Sequence, residues 1–197
     1  KGKVYVLRED PKEFVMNEDG DKLYASTVQK AFEIATVNKE KFEIKNNFYL
    51  ERGPYIIASV LDESISNEPL TLKGIFIDLF DPTLPVLKEK VIHPNEQTLL
   101  YNVKHIKNRN KPTVLCSASR IYNEVSKRGY YSFIAKSPLN TENVSRILLP
   151  KKPTEVVAKN PTGEVVANAQ HLWDETSGTC WLKFDNDPNG INVEIRW

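Results

Sequence analysis

The chain is 197 residues long and 40% hydrophobic, which suits one large or two small globular domains. Its 27 basic and 26 acidic residues leave a net charge of +1, which argues against a nucleic acid as partner. No apolar run approaches the roughly 20 residues that span a bilayer, so a membrane partner is not expected either. Composition leaves the compartment open, and an extracellular or periplasmic location is compatible with it.

Residues 1–46 predict a connecting segment made of one strand and one helix. Residues 4–7 are strand-like. Residues 22–36 predict the helix, because Leu23, Val28 and Phe32 fall on one face at helical spacing.

Residues 47–107 predict a first antiparallel β-sandwich domain. Short apolar runs separated by turn residues predict strands at 54–61, 70–72, 75–80, 86–92 and 97–103. Both alternating sets of residues 54–61 are apolar, which predicts a strand covered on both faces. The polar run 104–112 is the predicted domain boundary.

Residues 112–197 predict a second, immunoglobulin-like β-sandwich domain. Strands are expected at 113–121, 130–136, 144–149, 154–159, 164–167, 171–173, 179–184 and 191–197. Turn sequences ending at Gly163, Gly178 and Gly190 predict that the last strands form a β-meander. The predicted fold class is therefore mostly β, with two antiparallel sandwiches and one N-terminal helix.

The alternation of strand residues separates the tryptophans. Cys180, Leu182 and Phe184 form one apolar set, which leaves Trp181 on the opposite, wetter face, whereas Trp197 is expected to point inward. An outward tryptophan on a sheet is a domain interface, a platform for a sugar ring or ordinary surface. The predicted carbohydrate or domain contacts are Trp181, Lys183 and Tyr130.

Catalytic and metal-binding patterns are weak. The three histidines, His93, His105 and His171, lack metal-ligand spacing, and no nucleophile or phosphate-loop motif is present. Two carboxylate clusters, Asp62 with Glu63 and Asp78 with Asp81, suit either a glycosidase pair or caps of turn amides, and we favour caps. We predict no catalytic residue and no cofactor.

The run 185–190 resembles the start of a calcium loop. Its twelfth position is Arg196, where such a loop needs a glutamate, so we predict a hairpin turn and no metal. Cys116 and Cys180 fit buried thiols or one disulfide, and we favour thiols.

Three stretches carry a resemblance to a known class of protein. LERGPYIIA at 50–58, KGIFIDLFDP at 73–82 and VIHPNEQTLL at 91–100 resemble the all-β region that follows the catalytic barrel in some bacterial glycoside hydrolases. The closing hairpins from Trp173 onward are similar to the end of the same region. The resemblance implies a parent glycoside hydrolase whose catalytic residues lie upstream of Lys1, so none is assigned here.

On this interpretation the chain is a non-catalytic C-terminal accessory region of a bacterial carbohydrate-active enzyme. It would brace the catalytic domain of the same polypeptide, with contact to polysaccharide as an additional role. Two alternatives stay open: a stand-alone carbohydrate-binding module, and a glycoside hydrolase that uses the carboxylates.

Overall fold

The structure is a computed structural model that describes residues 4–6, 8–36, 42–62 and 64–197. The chain divides into two compact units, Lys1–Lys45 and Asn46–Trp197. No helix of the described residues is long and apolar enough to cross a membrane.

The N-terminal unit contains two helices, α1 (Pro11–Met16) and α2 (Gly20–Ala35). Helix α1 follows a favourable start signal, because the Asp10 carboxylate accepts the Lys12 amide and proline occupies the first turn. Helix α2 confirms the helix predicted at 22–36, whereas α1 was not predicted. The strand predicted at 4–7 is wrong for residues 4–6, which form no strand, and Leu7 lies outside the described residues.

The second unit begins with one five-stranded antiparallel sheet. Its strands are β1 (Asn47–Arg52), β2 (Tyr55–Val60), β3 (Leu70–Asp78), β4 (Val86–Ile92) and β5 (Gln97–Asn102), in the spatial order β1-β2-β5-β3-β4. Strand β3 joins the two strands predicted at 70–72 and 75–80. Its register against β4 shifts between Lys73 and Phe76, so an irregularity interrupts one continuous strand.

Strand β2 is buried on one face only. Ile56, Ala58 and Val60 are buried, whereas Tyr55 and Ile57 are 41% and 40% exposed. The prediction that residues 54–61 are covered on both faces is therefore wrong. Apolar residues occupy both faces of β2, and only the packing of other elements against the strand decides which face is buried.

Eight further strands form two four-stranded antiparallel sheets. They are β6 (Thr113–Ser117), β7 (Arg120–Lys127), β8 (Tyr130–Lys136), β9 (Glu142–Leu148), β10 (Glu155–Lys159), β11 (Gln170–Asp174), β12 (Thr179–Asp185) and β13 (Ile191–Arg196). One sheet, the β13 sheet, has the order β10-β13-β8-β7, and the other, the β12 sheet, has the order β11-β12-β9-β6. The strand predicted at 164–167 is wrong, since only an isolated bridge from Lys159 to Val165 forms there.

The two sheets enclose one apolar core, so residues 113–197 form a β-sandwich. The core combines inward residues of both sheets, among them Phe133, Cys180, Leu182, Phe184, Val193 and Ile195. The buried set in β12 is the apolar set predicted from the alternation, and Trp197 packs against the same core. The predicted inward and outward faces of β12 and β13 are thus confirmed.

The predicted β-meander is wrong, because the turn before Gly190 does not close a hairpin. Strands β12 and β13 belong to different sheets, so this turn carries the chain across the sandwich. Gly190 has φ +109°, and a side-chain Cβ there would lie 2.6 Å from Ile134 Cγ2. The turn chemistry was recognised correctly, but the strands that it joins depend on the topology.

A short 3-10 helix, Val103–His105, leads into the polar run predicted as a domain boundary. Arg109 in this run donates to the Ser177 carbonyl at 3.0 Å and to the Val103 carbonyl at 3.4 Å. The run is therefore hydrogen-bonded to the sandwich through Ser177, and all of residues 46–197 belong to one compact unit. The mostly-β prediction is confirmed; two immunoglobulin-like domains are a finer prediction that the observed three sheets do not confirm.

Candidate functional site

A cleft of about 800 Å³ lies beside the loop that follows β3. One wall is the loop of residues 79–85 after β3, here named the 79–85 loop, together with Tyr55 of β2. The opposite wall is the outer face of the β12 sheet, where Trp181, Lys183, Glu142 and Gln170 line it. We name it the Trp181 cleft.

The 79–85 loop holds an unusual backbone conformation. The Asp81 carboxylate accepts the Thr83 amide at 2.8 Å and the Thr83 hydroxyl at 2.7 Å, and these hydrogen bonds lower the pKa of Asp81. The next residue, Leu84, has φ +49°, a left-handed conformation that a bulky residue rarely adopts. Such conformations persist only where the surroundings hold them.

Two side chains of the β12 sheet hold this loop. The Trp181 indole nitrogen donates to the Thr83 carbonyl at 2.9 Å, and Arg146 Nε donates to the Leu84 carbonyl at 2.7 Å. Trp181 on β12 and Arg146 on β9 are direct neighbours across the sheet. The strained turn at Leu84 is therefore supported by adjacent donors on one rigid surface.

The structure brings together two of the three predicted contact residues. Trp181 and Lys183 both line the Trp181 cleft and are half-buried, and Lys183 Nζ forms an ion pair with Glu142 at 2.8 Å. Tyr130 lies on β8, in the β13 sheet, where the Arg196 guanidinium lies 5.5 Å from its ring centre. Tyr130 therefore belongs to a different surface.

The candidate carboxylates make structural contacts. Asp78 is buried, where its two oxygens accept the Phe80 amide at 3.0 Å and Lys90 Nζ at 2.7 Å. Asp81 caps the loop as described above, which agrees with the capping alternative. The second candidate cluster, Asp62 with Glu63, cannot be described as a pair, because Glu63 lies outside the described residues.

The calcium-like run forms a turn. Asp187 accepts the Asn189 amide at 2.7 Å with its side chain and the Gly190 amide at 3.0 Å with its carbonyl. In residues 4–6, 8–36, 42–62 and 64–197, no three histidine, cysteine or acidic residues are grouped as metal ligands.

Both cysteines are free thiols rather than a disulfide. Burial raises the pKa of Cys116 to about 11 and that of Cys180 to about 12. Neither thiol is therefore activated as a nucleophile at neutral pH.

Sequence reasoning missed Arg146, and with it a second cavity of about 400 Å³ on the other side of Trp181. Arg146 is only 8% exposed. One signal was present: it is a charged residue in a predicted strand that continues into Ile147, Leu148 and Leu149. A charge in such a run marks a buried partner or a binding site.

Comparison with known proteins yields little similarity. No protein-family model matches the chain, and no curated protein matches it significantly. Among solved structures, the GH31 dextranase of Flavobacterium johnsoniae complexed with glucose is similar at 12% identity and a TM-score of 0.29, over 88% of this chain and 31% of that one. A mutant of that dextranase complexed with isomaltotriose gives 12% identity and a TM-score of 0.27, over 85% and 28%.

Similarity at this level assigns neither a family nor a residue role. The β-rich character of the resembled region is confirmed by the sheets themselves. A position after a catalytic barrel stays a prediction.

Proposed function

We propose that residues 46–197 are a non-catalytic accessory region of a carbohydrate-active enzyme, which packs against the catalytic domain of the same polypeptide. As the resemblance implies, the enzyme is a bacterial glycoside hydrolase and the C-terminal sandwich is immunoglobulin-like. The observation that carries the proposal is an uncovered apolar face on the five-stranded sheet. We name it the open face.

The open face spans three neighbouring strands. Leu50 of β1 lies opposite Ile57 of β2, which in turn lies opposite Leu99 of β5, and the three side chains share one side of the sheet. Ile57 is 40% exposed, and Phe48 on the same side is 51% exposed. A continuous apolar row of this kind is typical of a protein contact.

The same side of the sheet already serves as a packing surface further along. Ile77 of β3 pairs with Tyr101 of β5 on this side and is fully buried. It belongs to a cluster that includes Leu115 and Val144 of the sandwich. One end of this sheet face is thus covered by another β layer, and the open face is its direct continuation.

This continuity favours a folded domain as the occupant over a flexible peptide. A sheet face that already packs against the sandwich through Ile77 and Tyr101 offers its uncovered part as a preformed surface for a second folded domain. A covalently linked catalytic domain has a high effective concentration at such a surface, so a modest apolar patch is sufficient for stable packing.

Ile57→Lys in the complete gene product tests the proposal. A buried lysine without a partner should release the catalytic domain and lower its melting temperature by several degrees. Val125→Lys on β7 is the matched control. Val125 is 41% exposed, about as much as Ile57, but it lies in the β13 sheet and not on the open face. Equal effects of the two changes, or a complete gene product without a catalytic domain, would refute it.

A stand-alone carbohydrate-binding module is the second candidate function. The observation in its favour is the Trp181 cleft, where an indole lies beside the Lys183–Glu142 ion pair. Indole rings and charged groups that donate and accept together are typical of sugar recognition. A glycan array on the isolated chain tests it, with Trp181→Ala and Lys183→Ala as weakened variants and Tyr130→Ala as a probe of the separate surface.

The remaining alternative is a hydrolase. Incubation of the isolated chain with chromogenic glycosides and polysaccharides should release no product above the buffer level. Turnover that disappears in Asp81→Asn would replace the accessory function with a catalytic one.

A further inference from the structure

We propose that the second cavity, which lies between Arg146, Asp174 and Trp181, binds a neutral sugar residue. We name it the Arg146 cavity. The inference deepens the proposed carbohydrate contact of Trp181 by naming the ligand class and the polar groups that recognise it.

The cavity measures about 400 Å³, within the ordinary size range of ligand pockets of about 300–1,000 Å³. Leu172, Trp181 and Arg146 are consecutive neighbours across β11, β12 and β9, so they form one row along its floor. Trp173 and Asp174 line the same cavity. The site thus combines apolar rings with one cationic and one anionic group.

Arg146 has donors that the protein leaves unused. Its Nε is bonded to the Leu84 carbonyl, which fixes the plane of the guanidinium. Within the described part of the chain, its two terminal nitrogens make no hydrogen bond and no ion pair. Arg146 is only 8% exposed, yet its terminal nitrogens are not sealed from outside, because Thr98 Oγ1 is the one fully buried side-chain nitrogen or oxygen without a partner among the described residues. These free donors therefore border the cavity that Arg146 lines, where a ligand that supplies acceptors can reach them.

Asp174 supplies hydrogen-bond acceptors, where Arg146 supplies donors. One carboxylate oxygen accepts the Ser177 amide at 2.7 Å and the Ser177 hydroxyl at 2.6 Å, so its position is fixed. The other oxygen makes no hydrogen bond among the residues described and remains an acceptor. Burial lowers the pKa of Arg146, and the nearby Asp174 acts in the opposite direction.

These properties select a neutral polyhydroxylated ligand. A sugar hydroxyl both accepts and donates, so adjacent hydroxyls can bond to the guanidinium and to the carboxylate at once. The apolar side of a pyranose ring can contact the Trp181 indole. A carboxylate ligand would satisfy Arg146 but would be repelled by Asp174, and an ammonium ligand would meet the reverse problem.

Saturation-transfer NMR and calorimetry on the isolated chain test the proposal. The probes are glucose, galactose, mannose and xylose, with sodium glucuronate as the charged counterpart. We expect at least one neutral sugar to bind with a dissociation constant on the order of 1 mM, as a small ligand with few contacts should. Glucuronate should bind more weakly.

Two variants and their matched controls locate the site. Arg146→Gln should weaken binding by about tenfold, whereas Arg196→Gln, on the other sheet, should have no effect. Asp174→Asn keeps an oxygen for Ser177 and should weaken binding by about fivefold. Its control is Asp187→Asn, since Asp187 caps a turn amide in the same way.

The outcomes are distinct. Lack of binding of every neutral sugar up to about 50 mM, binding of glucuronate alone, or binding that neither variant weakens would overturn the proposal. If Arg146→Gln does not fold, Asp174→Asn decides. Ile57→Lys, which tests packing against the catalytic domain, should leave sugar binding unchanged. A failure of the proposed sugar site can therefore be told apart from a failure of the proposed accessory function.

Discussion

The indole nitrogen of Trp181 lies 2.9 Å from the carbonyl oxygen of Thr83, 98 positions earlier in the chain. This hydrogen bond joins the sandwich to the loop that leaves the five-stranded sheet. It also explains why an outward tryptophan is half-buried rather than exposed. The ring is a wall shared by the Trp181 cleft and the Arg146 cavity.

Trp181→Phe removes this donor while most of the ring remains. We expect a loss of about 1 kcal/mol in the free energy of unfolding, measured by urea denaturation. Amide exchange in residues 79–85 should accelerate, because the strained turn at Leu84 loses one of its two supports.

Trp197→Phe is the control, since the Trp197 indole nitrogen makes no hydrogen bond to any described residue. It should change stability through lost ring area without affecting exchange in the 79–85 loop. Unchanged loop exchange in Trp181→Phe would show that the hydrogen bond has no role in holding the loop.

Asn143 lies at the centre of a buried hydrogen-bond network. Its amide donates to Ser145 at 2.8 Å, and its oxygen accepts the Ser117 hydroxyl at 3.0 Å. Asn143→Ala should destabilise the protein by about 2–3 kcal/mol, because both hydroxyls lose a partner inside the protein. The exposed Asn189→Ala should be neutral in the same urea experiment.

Asn143 is also the acceptor of a formal glycosylation sequence, Asn143-Val144-Ser145, yet it is fully buried. Secretion from a glycosylating host should therefore yield folded protein with no glycan at this position. A glycan found there by mass spectrometry would contradict the placement of β9.

Thr98 is a site where stability should increase. It is 1% exposed, and its hydroxyl has no hydrogen-bond partner among the described residues. Thr98→Val keeps the shape and removes the unmet polar group, so we expect a gain of about 1 kcal/mol. Thr98→Ser keeps the hydroxyl and loses a methyl group, so it should be destabilising in a thermal melt.

The partly buried Cys116 thiol predicts a loss of stability at high pH. Burial raises the pKa of Cys116 from an ordinary 9.0 to about 11 in the folded protein. Below about pH 9 both states keep the proton and the stability is complete. Above that the unfolded chain releases it first, and about 2 kcal/mol should be lost by about pH 11.

The contribution of Cys116 can be isolated by urea unfolding of the wild type and of Cys116→Ala between about pH 8 and pH 11. All other groups titrate equally in the two proteins, so the difference between the two stability curves reports the Cys116 thiol. The stability of the variant should decline less steeply. Parallel curves would show that the Cys116 thiol ionises as readily in the folded protein as in the unfolded chain.

The sequence by itself determined the local features of this protein. Helix α2 and most strands follow from residue periodicity, and the alternation in β12 correctly separated Cys180, Leu182 and Phe184 from Trp181, because side chains alternate between the two faces of any strand. Lys183 was assigned to the correct face by the same rule. These properties depend on near neighbours in the chain.

Only the tertiary structure decided what those faces contact. Which sheet β13 joins, which side of β2 is covered and which donor reaches Thr83 all depend on residues far apart in sequence, and local patterns carry no information about such pairings. Arg146 is the clearest case. Its charge was visible in the sequence, but its burial and its unused donors arise because a distant loop folds over it, so the Arg146 cavity exists only in the folded chain.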